Sequence, residues 1–279
     1  TGAVTLNTGA TTGNVTISST LNGSTDLDIT SGTGDVTIDG IIGGTAALSS
    51  LDINNNSDNG DIEVFSFGDG NPNPAVTGLT RLGNVNTGTL TLDGNNYDFG
   101  AGVTFGSGTY TQSAGTGLFD VDNGTVTFLG NVVTNGDFSV DSGGGDITVA
   151  GNISSTNTSD TLSLSDGTGG SGTITLNGTI SGVKSVTLVG DTAIHLGGDI
   201  TTSAVADGAI DITGPVTLET DITIDADAAR KGYEEEVHLF REEFKRMCFQ
   251  SRIDYVPLDT SMQFDAALVS YLQSRKTRF

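Results

Sequence analysis

Tryptophan is absent from the 279 residues, aromatic residues make up 6%, and there is one cysteine. So few bulky rings argue against an ordinary compact globule, whose core is built from large side chains. The lone thiol, Cys248, leaves residues 1–228 without a disulfide framework, which neither requires nor excludes export. Basic residues are nearly missing from that segment too. Of 11 Lys and Arg, only Arg81 and Lys184 precede residue 230, against 26 of the 34 Asp and Glu. The long segment therefore carries a net −24 and the remainder +1. Such an anionic surface argues against nucleic acid or an anionic membrane as its partner. Divalent cations suit the charge better, although acidity by itself mostly serves solubility. No run approaches the roughly 18 apolar residues of a membrane span. No initiator Met and no basic-then-apolar leader open the chain, which starts in mid-pattern at TGAVTLNTG and reads as a fragment or processed product.

Glycine is plentiful instead, with 41 residues, and between the glycines one tripeptide recurs: apolar, polar, apolar. Examples are Val4-Thr5-Leu6, Leu27-Asp28-Ile29, Leu51-Asp52-Ile53, Val126-Thr127-Phe128, Ile174-Thr175-Leu176 and Val216-Thr217-Leu218. Alternation at period two with β-branched residues marks a strand with one buried face, and the intervening Gly, Asn, Asp and Ser supply turns. Phe138, Leu162, Val186 and Ile210 follow one another at intervals of 24, as do Leu27 and Leu51, and Val4 lies 23 before Leu27. A fixed register of this length predicts a mainly β fold: a parallel β-helix of about 24 residues per turn, with two or three strands in each. At about 4.8 Å per turn, some 225 residues make about nine turns and a rod of about 45 Å. Small β-branched and Leu side chains suffice for so narrow an interior, and outward Thr and Asn can hydrogen-bond along ladders. A β-sandwich or Ig-like array is the competing architecture, but it gives no reason for the register to recur. Two stretches break the pattern. The run FSFGDGNPNPAVTGLTRLGN, carrying Pro72, Pro74 and Arg81, is expected to protrude as a loop to about Gly83, and Tyr97 to Phe119 to form a less regular turn.

The TGxVTLxxG and GGDITxxGxI idiom over residues 1–226 resembles the strand-repeat regions of filamentous-haemagglutinin-like and autotransporter-like bacterial surface adhesins. That resemblance implies an exported, rigid, non-catalytic stalk at a cell surface or outside the cell.

From residue 229 the composition changes. Tyr233, Val237, Phe240, Phe244 and Met247 step by 4, 3, 4 and 3, the period of one helical face, with acids early and bases late to suit the helix dipole. RIDYVPLDT suggests a short strand through Ile253, Tyr255 and Leu258, and TSMQFDAALVSYLQSRK opens with a Thr260-x-x-Gln263 capping box. Residues 229–279 are thus expected to form a helix-strand-helix tail, part of an α/β domain. The run from Tyr233 to Arg275 resembles the C-terminal end of the family called domain of unknown function fifty-eight, which implies a von Willebrand A-like, MoxR-associated protein. That family's Asp-x-Ser-x-Ser metal sequence has no counterpart here, and the DTSM at Asp259 to Met262 has the wrong spacing, so no functional residue carries over. The change near residue 229 reads as a join between unrelated coding sequences: an assembly or gene-prediction artefact, a recombination scar or an engineered fusion.

Possible chemistry is thin. GTGGSG, Gly167 to Gly172, matches a dinucleotide fingerprint, but TITL follows it, a strand where a helix is needed, so it reads as a turn. Asp69, Asn71 and Asn73 occupy positions 1, 3 and 5 of a calcium-type loop, yet Pro74 stands where Gly is required and Thr80 where Glu is. His195, between Ile194 and Leu196, is expected to point outward; His238 to be solvated on the tail helix; and Cys248 to be a buried, inert thiol. Glu63 and Glu219 are the long segment's only glutamates, and no carboxylate pair suggests glycoside hydrolysis. No catalytic, cofactor-binding or metal residue is assigned, and no cofactor is expected. The sequence thus points to a structural or adhesive β-solenoid stalk, its partner a host or matrix surface component or neighbouring repeats. Open strand edges at its ends would allow end-to-end self-association. The alternatives are a von Willebrand A-like interaction module, resting on the tail, and a carbohydrate-active β-helix protein.

Overall fold

Each apolar-polar-apolar tripeptide is a strand whose two apolar residues face inward and whose polar residue faces out. The computed structural model describes residues 2–55, 59–68, 73–113, 115–167, 169–203, 208–225, 227–251, 253 and 255. Its strands form a parallel β-solenoid of about nine turns. Three parallel stacks run along it. The first contains β1 (Val4–Asn7), β3 (Asp26–Thr30), β5 (Ser50–Ile53), and the starts of β7 (Thr80–Leu92) and β9 (Val103–Gln112). It continues through β11 (Val126–Phe128), β14 (Ile147–Val149), β17 (Thr173–Leu176), β20 (Ala193–Leu196) and β23 (Val216–Leu218). The second stack contains β2 (Val15–Ile17), β4 (Val36–Ile42), β6 (Ile62–Phe67) and the ends of β7 and β9. It goes on through β12 (Asn131–Thr134), β15 (Ile153–Ser155), β18 (Ile180–Ser181), β21 (Ile200–Thr201) and β24 (Ile224–Asp225). The third contains the ends of β4 and β6, then β8 (Asn96–Phe99), β10 (Gly117–Val121), β13 (Phe138–Asp141), β16 (Thr161–Ser165), β19 (Ser185–Val189) and β22 (Ile210–Thr213).

The register matches the expected interval where it was read. Phe138 pairs with Leu162, Leu162 with Val186, and Val186 with Ile210; Val4 pairs with Leu27 and Leu27 with Leu51. Elsewhere the interval varies, from 20 residues between Ile174 and Ile194 to 29 between Leu51 and Thr80. The strands set the stacking and the turns absorb the difference.

Both expected interruptions prove to belong to the stack. Residues 69–72 lie outside the described residues, but Ala75 and Val76 are fully buried, and Thr80 and Arg81 begin the thirteen-residue β7. Pro74, only half-buried, leads straight into that core, so the prolines interrupt the repeat without lifting Ala75 to Gly83 out of it. Tyr97 to Phe119, expected to be irregular, spans β8, β9 and the start of β10. Its apolar residues are aromatic instead of β-branched, and eight rings (Phe67, Tyr97, Phe99, Phe105, Tyr110, Phe119, Phe128 and Phe138) fill the middle turns. Phe105 and Phe128 stack at 4.5 Å between centroids, Tyr97 and Phe119 at 4.6 Å. The interior is thus wide enough at mid-length for rings, while Val, Ile and Leu fill it towards either end.

The corners explain the glycine and the acid. Successive turns there pack backbone on backbone: a Cβ on Gly145 would strike Gly124, one on Gly172 would strike Gly145, and Gly178 sits against Gly151 in the same way. Beside these glycines, side-chain oxygens of one turn accept backbone N–H groups of the next. Asn14 Oδ1 accepts from Asp35 N at 3.0 Å and Asp35 Oδ1 from Asp61 N at 3.1 Å. Asn152 Oδ1 accepts from Thr179 N at 2.9 Å, and Asp199 Oδ1 from Thr223 N at 2.6 Å. Much of the acidity is therefore spent on capping turns.

The chain divides into two compact units, residues 1–230 and 231–279. The expected tail helix is present as α1 (Asp227–Gln250). Ile253 and Tyr255 are not in a strand, and the second expected helix, from Thr260, lies outside the described residues. Phe240 and Phe244, on the expected apolar face of α1, are exposed and 5.9 Å apart.

Candidate functional site

With apolar residues turned in, the polar centre of each tripeptide stands on the surface, one per turn. In the first stack this rank begins Thr5, Asp28, Asp52, Arg81. Four threonines follow in register, Thr104, Thr127, Thr148 and Thr175, and then His195 and Thr217. Arg81 Nη1 lies 3.6 Å from Asp52 Oδ2. Burial nevertheless raises the Asp52 carboxyl above its ordinary pKa, outweighing the pull of Arg81, and Asp28 adds to the rise.

His195 points outward as expected, between fully buried Ile194 and Leu196. It has a partner that the sequence reading missed: its Nδ1 lies 2.6 Å from Glu219 Oε1, one turn along. The separation of 24 residues is the repeat interval itself, and that was the available signal. The pair is half-exposed and stands at one end of a shallow groove lined by Leu218, Glu219, Thr220, Asp221 and Ile222. Such a dyad can share a proton and accept or donate a hydrogen bond from its free ring nitrogen.

The third stack carries a different rank. Asp98, Asp120 and Asp141 are in register on successive turns, with Asp122 nearby. Burial, followed by repulsion from Asp120 and Asp122, pushes the Asp98 carboxyl up to about 6. Asp120 is raised for the same reasons, burial first and then Asp141 and Asp122. On the second stack a hydrogen bond shared with Asp93 holds the Glu63 carboxyl up, with burial and the Asp93 charge adding to it. Glu63 on β6 and Glu219 after β23 stand far apart along the stack, so the two glutamates do not meet.

The remaining sequence candidates are scattered. Gly167 and Gly169 take positive φ in the turn between β16 and β17, and Asp191 Oδ2 accepts the Gly169 N–H at 2.7 Å. Asp69 and Asn71 of the calcium-type loop lie outside the described residues, while Thr80 is 1% exposed, facing the core. His238 is exposed on α1, and Cys248 is a buried free thiol. Among the described residues, no group of three or more His, Cys, Asp and Glu is placed to hold a metal ion, and no helix is long and apolar enough to cross a membrane. Comparison with protein-family models, with curated proteins and with solved structures found no match.

Proposed function

We propose that residues 4–225 act as a stiff structural rod, the stalk of a bacterial surface or secreted protein, which presents its outward ranks to a host or matrix component and carries out no catalysis of its own. One observation carries this reading: every strand from β3 to β22 is hydrogen-bonded in parallel to the turn before and the turn after. Extension along the rod must then break whole ladders together, and bending must compress a filled core. The polar ranks supply repeated, identical contacts at about 4.8 Å spacing, which suits weak multivalent adhesion.

Pulling single molecules between residues 4 and 225 tests it. Each turn of about 24 residues should release about 80 Å of chain at up to 3.6 Å per residue, so the force trace should show repeated steps of that size. Smooth extension, at forces no greater than those that straighten an unfolded chain, would sink the stalk reading.

A further inference from the structure

The two ends of the solenoid are complementary to each other. Among the described residues, β1 and β2 have a strand neighbour on one edge only, and so do β23 and β24. Their inward-row side chains are left uncovered. Val4 is 46% exposed and Leu6 37%, whereas their register partners Leu27 and Ile29 are 5% and 0% exposed. Val216, Leu218 and Ile224 at the other end are 44%, 55% and 47% exposed. The shallow groove from Leu218 to Ile222 opens where a following turn would lie.

We propose that these ends dock on each other head to tail, so that the partner of each end is a second copy of this chain. Three observations select that occupant. First, the edge strands of the first stack share one tripeptide: Val216-Thr217-Leu218 and Val4-Thr5-Leu6. Placing one copy a turn beyond the other sets Val216 against Val4, Thr217 against Thr5 and Leu218 against Leu6, with Ile224 against Val15 in the second stack. Every inward row then continues apolar on apolar, as it does inside the molecule. Second, the polar ranks continue as well, because Thr217 is the last member of the first-stack rank and Thr5 the first. Third, the charges permit the contact. The C-terminal edge carries Glu219, Asp221 and Asp225, but residues 1–25 contain no Asp, Glu, Lys or Arg, although the chain carries −23 overall. Two C-terminal edges would bring their acids together, whereas this junction sets acid against neutral hydroxyl and amide side chains. A contact between unlike ends does not close on itself, so the product is an open filament that lengthens with concentration.

The proposal rests on the stalk reading but can fail separately: a rod that unspools in steps yet never associates remains a stalk. The test uses the full chain and two variants, Leu6→Lys and Leu218→Lys, each placing a charge on one exposed edge. Circular dichroism checks that both keep the wild-type β signal. In sedimentation velocity the wild type should form a concentration-dependent series of oligomers. Each variant alone should remain largely monomeric, and an equimolar mixture should form a dimer and stop there, because one intact edge remains on each partner. A wild type that stays monomeric up to about 100 µM, well above the micromolar range of a moderate interface, overturns the proposal. So does a variant that oligomerises as readily as the wild type, or a mixture in which no dimer appears.

Discussion

Phe65 and Phe67 lie two residues apart on β6, and the fold gives them opposite fates. Phe67 is fully buried, its ring 4.8 Å from that of Phe99, while Phe65 is 43% exposed. Phe67→Ala removes a buried ring and leaves a cavity, which costs about 3–5 kcal/mol, the upper end applying if the lost ring pair adds its own about 0.5–1.5 kcal/mol. Phe65→Ala removes a half-exposed ring with no cavity behind it and should cost about 0.5 kcal/mol. The difference of about 3 kcal/mol corresponds to about 1 M or more in the urea midpoint at a slope of about 1–3 kcal/mol/M. The assay is urea unfolding followed by near-ultraviolet circular dichroism, to which Tyr97 and Tyr110 contribute from within the aromatic cluster. Equal losses, or a larger loss for Phe65→Ala, would refute the placement of this segment. A one-residue slip of register would exchange the two faces and reverse the order.

Other outcomes follow from the corners and the acidic rank. The folded state holds a proton on Asp98 with a pKa of about 6, against 3.8 ordinarily, so its contribution is present at pH below 3.8 and is lost as the pH rises through about 6. Discounted for solvent screening on a half-exposed group, that loss is about 1 kcal/mol, so Asp98→Asn should stabilise the protein by about that much at pH 8 and by nothing at pH 3.5 in thermal unfolding. Gly178→Ala drives a Cβ into the Gly151 backbone and should destabilise by at least about 2 kcal/mol, whereas at Gly108 the nearest atom, Gly88 O, is 3.9 Å away and the same change should be tolerated. Trypsin should spare Arg81, inside β7, and Lys184, whose N–H donates to Asp160 O at 2.7 Å, while it cuts beyond residue 229, as intact mass would show.

Much of this architecture is legible in the sequence because a solenoid repeats its demands. Wherever the turn length is constant, as from Phe138 to Ile210, spacing alone identifies which residues stack. Where turns lengthen, the spacing drifts and the signal is lost. Leu51 pairs with Thr80 across 29 residues that include Pro72 and Pro74, and so a buried segment reads as a protruding loop. Aromatic scarcity misleads in another way. An average over the whole chain hides eight rings gathered into neighbouring turns, and a period-two alternation with Phe or Tyr at its inward positions, as at Tyr97 and Phe99, looks unlike the Val-Thr-Leu idiom around it. The His195–Glu219 pair was within reach, since its spacing is the repeat interval. The stacked carboxylates Asp98, Asp120 and Asp141 were not, because they stand at intervals shorter than 24.

The central claim is the register of a parallel stack, and a cysteine pair reads it directly. Ser163 and Thr187 pair across β16 and β19 with both side chains outward, while Asp211 lies a further turn on. In a Cys248→Ser background, Ser163→Cys with Thr187→Cys places two Cα atoms about 4.8 Å apart, inside the range a disulfide spans. Ser163→Cys with Asp211→Cys places them about 9.6 Å apart, beyond it. Mild oxidation followed by counting of free thiols should show the first pair closing within the monomer and the second remaining reduced. Closure of the second pair, or failure of the first in a protein that keeps its β signal, would contradict the stack.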